Sequence, residues 1–365
     1  MKIGFDATIL TKRLTGIGYY TINLIDAILD NYPDDDVYLF AHRPLKKKPR
    51  NKRAKIIISN SFHAHTFLQS KIKSLLMKYD IDIIHGPNFY LPLLNKIPSI
   101  VTIHDMSAIL FPKQHTFIHR LSQKMLYPSA NSANAIICVS SSTAADLIKL
   151  KPGLENKIHT IHSGIEKRFS PDIRDDRISS KYNLPDKFIL FLGTLEPRKN
   201  LNGLLRAFSK IRNKIPHRLV IAGGIGWKNS TIFDELDRLG IKNYVHFPGY
   251  IDDKDLPSLY RSASIFVYPS FYEGFGLPPL EAMACGIPTI TSNISSMPEI
   301  AGEAAMQVDP HSADSLADAI LQIAQNPELA TNLAHKGIKK AQEFTWDKTA
   351  QKTVEIYKSL LYGNN

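Results

Sequence analysis

Short apolar runs alternate with segments of helical length along the whole of this 365-residue chain. Early runs are KIGFDA at 2–7, VYLFA at 37–41 and DIIHG at 82–86, and segments with a repeat of 3.6 residues, such as Ile17–Leu29, lie between them. Runs this apolar indicate strands that are buried on both faces, as in parallel sheets with helices on each side. The alternation therefore predicts an α/β fold.

The pattern restarts after the polar, charged stretch RFSPDIRDDRISSKYNLPD at 168–186, with further runs such as KFILFLGT at 187–194 and SIFVYPS at 264–270. Single cores stop growing near ~250 to 300 residues, so the length also favours two domains. Each domain is expected to be a doubly wound, Rossmann-like sheet. We expect domain one at 1–165, a linker at 166–186, domain two at 187–343 and a C-terminal helix at 344–365.

The chain has the features of a cytoplasmic protein. No apolar run approaches the roughly 18 residues that a membrane-spanning helix needs. The N-terminal MKIGFDATIL lacks the long apolar segment and the small-residue cleavage site of a signal peptide. The two cysteines, Cys138 and Cys285, lie inside apolar stretches, which suits a reducing compartment.

Positive charge is concentrated in the N-terminal half. Of the net +11, residues 1–165 contribute 21 Lys and Arg against 11 Asp and Glu, whereas 166–365 have 24 against 23. The run KKKPRNKRAK at 46–55 is either a solvated loop between two strands or a contact for an anionic partner: acidic lipid, a charged glycan or nucleic acid. Because nucleic-acid binding would require interleaved aromatic side chains, which this run lacks, we expect no nucleic-acid partner.

An apolar stripe with lysines among it follows at 67–79. Its helical spacing fits either packing in the core or a membrane-facing surface. Together with the basic run, the second alternative would give a peripheral contact with an anionic membrane.

The stretch FYEGFGLPPLEAMACG at 271–286 leads from a predicted strand into a predicted helix. Ligands bind beyond the carboxyl ends of such strands, and with two sheets we expect them in the cleft between the domains. Gly274 and Gly276 let backbone N–H groups approach a ligand closely. Because carboxylates accept hydrogen bonds from neighbouring hydroxyls, Glu273 and Glu281 suit a sugar or a ribose. The alternatives are a loop acid bonded to nearby N–H groups and an acid on a helix surface.

Three other strand ends carry candidate residues. In FLGTLEPRKN at 191–200, Arg198 and Lys199 favour a phosphate and Asn200 is expected to cap the next helix, although ordinary surface charges are the alternative. In LTKRLTGIGYYTINL at 10–24, Gly16 and Gly18 open a helix and permit close backbone approach to a phosphate or a sugar. This is an incomplete G-x-G-x-x-G fingerprint, because position 21 is Thr.

The fourth strand end, TIHD at 102–105, places His104 beside Asp105. The pair fits a structural hydrogen bond, two metal ligands or an acid and a base. The other histidine pairs, HAH at 63–65 and HTIH at 159–162, lack a consistent third ligand. We therefore expect no metal.

These motifs together make the chain resemble the retaining glycosyltransferases of family 4 (group 1), from Met1 to about Leu361. The segments that carry the resemblance are GIGYYTINL, TIHD, GTLEPRKN, LVIAGG, FPGYIDDKDLPSLYRSAS and YPSFYEGFGLPPLEAMACGIPTITSNISSMPEI. It implies the GT-B fold, in which two doubly wound Rossmann-like domains face a cleft. It also implies a nucleotide-sugar donor held mainly by the C-terminal domain, an acceptor held mainly by the N-terminal domain, and a C-terminal helix that crosses back to the N-terminal domain.

The resemblance also implies roles for individual residues. Glu281 would hold the donor ribose hydroxyls, Lys199 the diphosphate and Glu273 the transferred sugar. The remaining expected contacts are the N–H groups of Phe275, Gly276 and Leu277 at the sugar, Tyr250 and Ile251 beside the base, Gly16 and Gly18 near the diphosphate and sugar, and His104 beside the reacting sugar.

One departure from the family concerns the phosphate site. Many members have Arg where this chain has Thr194, so we expect Arg198 to supply that charge. The diphosphate would then leave with stabilisation from Lys199, Arg198 and backbone N–H groups, without a cofactor or metal. The family implies a front-face route that retains the anomeric configuration, with His104 and Glu273 as catalytic residues that position the sugar.

The expected donor follows from TIHD, GTLEPRKN and IAGGIGW at 221–227, which resemble bacterial mannosyltransferases that build surface polysaccharides. They predict mannose transfer from GDP-mannose, with UDP- and dTDP-sugars as alternatives. The acceptor would be a glycan or lipid-linked glycan at the inner membrane face, in O-antigen or lipopolysaccharide synthesis. The competing interpretations are an epimerase, which the intact 271–286 loop disfavours, and a non-catalytic nucleotide-binding scaffold subunit, which the retained glutamates, Lys199 and His104 disfavour.

Overall fold

The computed structural model describes residues 1–61, 63–93, 96–112, 126–172, 175, 177–224 and 230–363. The chain divides into two compact units, one made of Met1–Gly164 with Phe344–Asn365 and the other of Ile165–Glu343. Each unit contains one parallel sheet with helices in its crossover connections. The predicted α/β fold with two doubly wound sheets is therefore confirmed.

The strands of the first unit follow the apolar runs of the sequence. They are β1 (Lys2–Asp6), β2 (Asp36–Ala41), β3 (Lys55–Ile58), β4 (Ile83–Gly86), β5 (Ser99–Ile103), β6 (Ala135–Cys138) and β7 (Ile158–Thr160). Within the described residues their order is β3-β2-β1-β4-β5-β6-β7, and β4, β5 and β6 are buried along their whole length. The order reverses between β1 and β4, where open α/β sheets bind ligands.

Helices in the described part of this unit connect the strands. They are α1 (Gly16–Asn31), α2 (Ala64–Thr66), α3 (Ile72–Lys78), α4 (Ser107–Leu110), α5 (Leu126–Ser132) and α6 (Ser141–Leu150). A π-helical turn at Phe67–Lys71 joins α2 to α3. In the stripe at 67–79, the side chains of Phe67, Leu68, Ile72 and Leu76 are buried in a cluster with Tyr38 and Phe40 of β2. The core alternative for this stripe is thus confirmed, and the membrane-facing alternative is wrong for these side chains.

The basic run at 46–55 forms the loop between β2 and β3, as one of its two interpretations expects. Two of its arginines contact the C-terminal part of α1. Arg50 pairs with Asp30, and Arg53 donates to the carbonyl oxygens of Leu29 and Pro33. Cations at this position offset the negative end of the helix dipole. Part of the charge in this run therefore has a structural role.

The second unit repeats the design. Its strands are β8 (Phe188–Leu192), β9 (Arg218–Ala222), β10 (Val245–Gly249), β11 (Ile265–Tyr268), β12 (Thr289–Ser292) and β13 (Met306–Val308), in the order β10-β9-β8-β11-β12-β13 within the described residues. The order reverses between β8 and β11. The helices are α7 (Arg177–Tyr182), α8 (Leu201–Ile211), α9 (Ser230–Leu239), α10 (Leu256–Ser262), α11 (Leu277–Ala284), α12 (Met297–Ala301), α13 (Ala313–Gln325) and α14 (Pro327–Ala341).

Two sequence segments lie partly outside the described residues: 225–227 of IAGGIGW, and 173, 174 and 176 of the expected linker. The described part of the linker segment contains α7, whose Lys181 contacts Asp252 at 2.9 Å and Asp255 at 2.5 Å. No helix of the described chain is both long and apolar enough to cross a membrane.

The last helix, α15 (Trp346–Tyr362), belongs to the first unit and packs against α1. Its Tyr357 hydroxyl lies 2.6 Å from Nδ1 of His85 at the end of β4, and Nε2 of His85 lies 2.7 Å from the Thr102 hydroxyl. Burial lowers the pKa of His85 to about 3, so the ring is neutral. Both ring nitrogens have hydroxyl partners, which satisfies a polar group in the middle of the core.

Replacing Tyr357 by Phe leaves one buried nitrogen of His85 without its partner. We expect the first unit to lose about 1 to 3 kcal/mol of unfolding free energy, the usual cost of such a group. Equilibrium denaturation followed by tryptophan fluorescence measures the loss. The matched control is Tyr362→Phe on the same helix, where the side chain is exposed and the change should stay within about 0.5 kcal/mol. Equal effects of the two substitutions would contradict the role of the His85 contact.

Candidate active site

The loop after β8 is fixed by close backbone packing. Gly223, at the end of β9, has φ +138°, and a Cβ there would lie 2.0 Å from the Gly193 carbonyl oxygen. The chain then makes a 3₁₀ turn at Pro197–Lys199 and reaches Asn200, which has φ 57° and begins α8. Asn200 Oδ1 accepts from Gly203 N at 3.2 Å, so its expected capping role is confirmed.

The same Asn200 ties this loop to the loop after β11. Its Nδ2 donates to the carbonyl oxygens of Pro269 at 3.1 Å and Pro310 at 2.6 Å, and Phe271 N donates to Arg198 O at 2.9 Å. The loops after β8 and β11 are therefore held together by the Asn200 side-chain amide and by one backbone hydrogen bond.

Two cations and two carboxylates meet where these loops touch. We call Glu196, Arg198, Lys199 and Glu273 the four-charge cluster. Arg198 Nη1 lies 2.8 Å from Glu273 Oε2, Arg198 Nη2 lies 2.6 Å from Glu196 Oε1, and Lys199 Nζ lies 2.6 Å from Glu273 Oε1. Only 6 to 8% of Glu196, Lys199 and Glu273 is exposed. The structure thus brings three predicted site residues, Arg198, Lys199 and Glu273, into direct contact.

Burial and pairing set the ionisation of this cluster. Burial by itself would raise the pKa of Glu273, but the positive charges of Arg198 and Lys199 outweigh it and lower the pKa to about 2. Burial, with the neighbouring Arg198, lowers the pKa of Lys199, and Glu273 opposes that shift. Glu273 is therefore ionised at neutral pH and unsuited to act as a general acid there.

Tyr268, at the end of β11, contacts Lys199 of the four-charge cluster. Its hydroxyl is 2.6 Å from Lys199 Nζ, and its ring stacks on Phe191 and Phe266 with centroids 5.7 and 5.9 Å apart. The lysine therefore has two fixed partners, the phenol and Glu273. This limits the positions that its ammonium group can take.

The backbone of the 271–276 loop is also held. Glu273 N donates to Ser295 Oγ at 3.1 Å, and the Ser295 and Ser296 hydroxyls donate back to Glu273 O at 2.7 and 3.0 Å. Ser296 also donates to Phe275 O at 2.5 Å. Gly276 has φ +122° and precedes Leu277, the first residue of α11. Phe275, Gly276 and Leu277 thus lie at the N-terminus of α11, which favours negative groups.

Glu281 has a different environment from Glu273. It lies on α11, partly buried, and accepts a hydrogen bond from the Tyr260 hydroxyl at 2.8 Å. Burial raises its pKa to about 7, although Tyr260 and the nearby Arg168 oppose the shift. The two glutamates that the sequence pairs are thus one permanently ionised group and one that titrates near neutral pH.

The segment after β10 borders this region. Arg168 contacts Glu166 at 3.0 Å and Asp253 at 2.8 Å, and Asp253 follows the predicted base-binding residues Tyr250 and Ile251. Tyr250 is 49% exposed and Ile251 is 2% exposed. The two predicted residues thus differ, because Tyr250 exposes its ring and Ile251 is anchored by a buried side chain.

The other predicted residues lie in the first unit. His104 follows β5, and its Nε2 is 2.7 Å from Pro87 O; since a carbonyl only accepts, Nε2 carries the proton and Nδ1 is the acceptor. Burial lowers the pKa of His104 to about 4, so the ring is neutral at pH 7. Tyr20 of α1 contacts the ring edge-on at 4.7 Å, which brings His104 beside the start of α1.

Gly16 and Gly18 stand in that first turn of α1. Gly16 is exposed, and a Cβ there would meet no atom within 4 Å, which leaves room for a ligand. Gly18 is buried, and a Cβ there would lie 2.7 Å from Leu14 Cδ2. A side chain at position 18 would therefore require Leu14 to shift.

Several residues that contact the site were not predicted. The sequence offers only weak signals for them. One is a charge two residues before Arg198, another is a tyrosine at the end of a buried strand, and the others are polar residues on neighbouring helices and loops. These residues are Glu196, Tyr268, Tyr260, Arg168, Ser295 and Ser296. In the described parts of the chain, no group of three or more His, Cys, Asp or Glu could hold a metal ion.

Comparison with known proteins gives the family. A profile described as Glycosyltransferase Family 4 matches residues 14–169, and one described as Glycosyl transferases group 1 matches residues 172–340. The O-antigen chain mannosyltransferase B of Escherichia coli is 31% identical over 383 residues, which cover 99% of this chain and 100% of that protein. The serotype-specific mannosyltransferase WbdA of Escherichia coli is 28% identical over 371 residues, which cover 95% of this chain but only 45% of WbdA.

A solved structure shows the same fold. Anabaena HepE in complex with UDP and glucose superposes with a TM-score of 0.77 at 16% identity, over 98% of this chain and 99% of HepE. This likeness confirms the predicted GT-B architecture. Both profiles and the full-length relative agree: the chain belongs to the group 1 glycosyltransferases of family 4.

Proposed function

We propose that this glycosyltransferase moves mannose from a nucleotide sugar to a hydroxyl of a growing surface polysaccharide, such as an O-antigen. The observation that carries the proposal is the four-charge cluster. A nucleotide sugar presents a diphosphate directly beside sugar hydroxyls, and here a buried lysine and a partly buried arginine contact the carboxylate of Glu273. The two Escherichia coli relatives are mannosyltransferases, which supports mannose as the hexose.

The proposed chemistry needs stabilisation of the leaving group. The anomeric carbon develops positive charge while the diphosphate departs with negative charge. Lys199, Arg198 and the N–H groups at the start of α11 stabilise that negative charge without a metal. Arg198 thereby supplies the charge that Thr194 lacks, which its 2.8 Å contact with Glu273 beside Lys199 supports.

Glu273 and His104 act by positioning. A carboxylate with a pKa of about 2 accepts hydrogen bonds from sugar hydroxyls, and His104 offers Nδ1 as a second acceptor. The anomeric configuration is retained by a front-face route, in which the departing phosphate takes the proton of the acceptor hydroxyl.

The donor is GDP-mannose in this proposal, with UDP- and dTDP-sugars as the alternatives. Tyr250 and Ile251 border the base, Glu281 holds the ribose hydroxyls, and Gly16 lets the first turn of α1 approach the ligand. The acceptor is a glycan or lipid-linked glycan at the inner face of the cytoplasmic membrane. The excess of Lys and Arg in residues 1–165 supports a peripheral contact of this cytoplasmic enzyme with anionic lipid.

A panel of nucleotide sugars tests the function. We expect thermal stabilisation by one donor, slow hydrolysis of that donor, and transfer of mannose to a lipid-linked glycan acceptor. Stabilisation should be lost in Glu281→Ala. Binding of a nucleotide sugar with neither hydrolysis nor transfer would favour a scaffold subunit, and no response to any donor would contradict the proposal.

Replacing Lys199 by Met should lower kcat by about 10² to 10³, the usual effect of removing one stabilising donor for a developing anion. Steady-state assays with saturating donor measure the change. The control is Lys210→Met on α8, where the lysine pairs with the exposed Asp314. Equal activity of the two variants would exclude a role for Lys199 in stabilising the leaving group.

Donor affinity should depend on the ionisation of Glu281. Its raised pKa of about 7 means that the protonated acid dominates below pH 7 and the carboxylate above it. A carboxylate accepts stronger hydrogen bonds from ribose hydroxyls, so Kd for the donor should fall as pH rises from 6 to 8. Calorimetric titrations across this range should find the dependence absent in Glu281→Gln. A Gln variant with an unchanged pH profile would assign the dependence to another group.

Two properties of the reaction need direct measurement. We expect a chelator such as EDTA to leave the rate unchanged, because Lys199 and Arg198 stabilise the negative charge of the leaving diphosphate in this proposal. NMR of the product should show the same anomeric configuration as the donor. A rate that falls with chelator and recovers with a divalent metal would contradict the metal-free mechanism, and an inverted product would contradict retention.

A further inference from the structure

Both cations of the four-charge cluster already have carboxylate partners. Glu273 bridges them, with one oxygen 2.6 Å from Lys199 Nζ and the other 2.8 Å from Arg198 Nη1. Glu196 holds the far side of the guanidinium, at 2.6 Å from Nη2. Two positive and two negative charges give a neutral cluster, so a diphosphate that approaches it meets no net positive charge.

The two carboxylates are anchored differently. Glu196 directly precedes the 3₁₀ turn, and its carbonyl oxygen accepts from Lys199 N at 3.0 Å, so it belongs to the same rigid turn as the cations. Glu273 comes from the other loop, and its backbone, rather than its carboxylate, is bound by Ser295 and Ser296. The Glu273 carboxylate thus reaches the cations from a separate loop, whereas Glu196 lies in the same turn as Arg198.

Glu273 also sits as a phosphate would sit. Its two oxygens span an ammonium and a guanidinium, the arrangement that neighbouring oxygens of a diphosphate favour. A carboxylate in that position cannot accept sugar hydroxyls with the same lone pairs. The two ion pairs thus use part of the acceptor capacity of Glu273 and leave less of it for sugar hydroxyls.

We propose that the Glu273 carboxylate and the donor diphosphate compete for Lys199 and Arg198, and that the diphosphate displaces the carboxylate when it binds. On binding, the phosphate oxygens take over Lys199 and the Nη1 side of Arg198, and the released carboxylate becomes free for the sugar hydroxyls. Glu196 remains a positioning residue that orients Arg198. This exchange rests on the proposed function. It means that Glu273 binds the sugar only when a diphosphate is bound.

The exchange predicts opposite effects for one substitution. Glu273→Gln removes the competing negative charge, so inorganic pyrophosphate should bind roughly tenfold more tightly than to the wild type, a modest part of the Coulomb attraction at this distance. The same variant should lose the extra affinity that mannose gives to GDP-mannose over GDP. Isothermal titration with pyrophosphate, GDP and GDP-mannose measures all three affinities.

Glu196→Gln is the matched control, because it makes the same chemical change in the same cluster. It removes the same charge but leaves Glu273 on Lys199 Nζ and Arg198 Nη1, so it should tighten pyrophosphate binding less than Glu273→Gln does and keep the difference between GDP-mannose and GDP. Weaker pyrophosphate binding in Glu273→Gln would overturn the exchange, as would undetectable pyrophosphate binding to both proteins at millimolar concentrations. A merely structural role of Glu273 would weaken every ligand in parallel.

A wild-type measurement keeps the test independent of how the variant folds. In a crystal of the wild-type protein soaked with pyrophosphate, the Glu273 carboxylate should lie beyond hydrogen-bond distance of Lys199 Nζ and Arg198 Nη1. A carboxylate that stays on both nitrogens beside the bound anion would overturn the exchange. If the carboxylate stays in place but the protein transfers mannose, the exchange is refuted and the proposed function stands. If pyrophosphate displaces the carboxylate but no nucleotide sugar binds, the proposed function is refuted and the exchange stands.

Discussion

In strands that are buried on both faces, a polar side chain needs a partner inside the core, as His85 and Thr102 have in each other, so most polar groups lie beyond the strand ends. In both units the central strands are buried along their length, and the polar groups of the candidate site lie in the segments that follow: His104 after β5, Glu196 and Lys199 after β8, and Glu273 after β11. Because all strands of one sheet run parallel, the ends of β8 and β11 lie at the same edge of the second sheet. The concentration of charge at one edge of the second sheet is thus a consequence of how its core is built.

Buried charge at such an edge has to be neutralised locally. An isolated ion in a dry environment is strongly disfavoured, so Lys199 and Glu273 require each other. Tyr268 and the backbone contacts of Asn200 then fix where the ions meet. The same four side chains therefore neutralise one another in the core and, in the exchange that we propose, hold an anionic ligand in different pairings.

The runs of apolar residues were enough to predict the strands, because burial on both faces leaves an unambiguous local signal. The cap at Asn200 was predictable for a similar reason, since it depends on the chain within a few residues. The partners of individual side chains could not be predicted from the sequence. Tyr260 meets Glu281 across 21 residues and Arg198 meets Glu273 across 75, so only the folded chain decides which acid is ionised and which titrates. The π-helical turn at Phe67–Lys71 was likewise invisible, since an apolar stripe tolerates one extra residue per turn.

The membership of α15 in the first unit has a consequence for biosynthesis. His85 and Thr102 leave the ribosome early, but Tyr357, which completes their hydrogen bonds, is translated only after every residue of the second unit. The nascent first unit therefore exposes the surface of α1 that α15 later covers, while the second unit already has its full sequence. Domains commonly fold during synthesis in order of emergence. Here the first unit to begin synthesis is the last to be completed. A ribosome that stalls just before codon 346 has made all of the second unit but has not made α15 of the first.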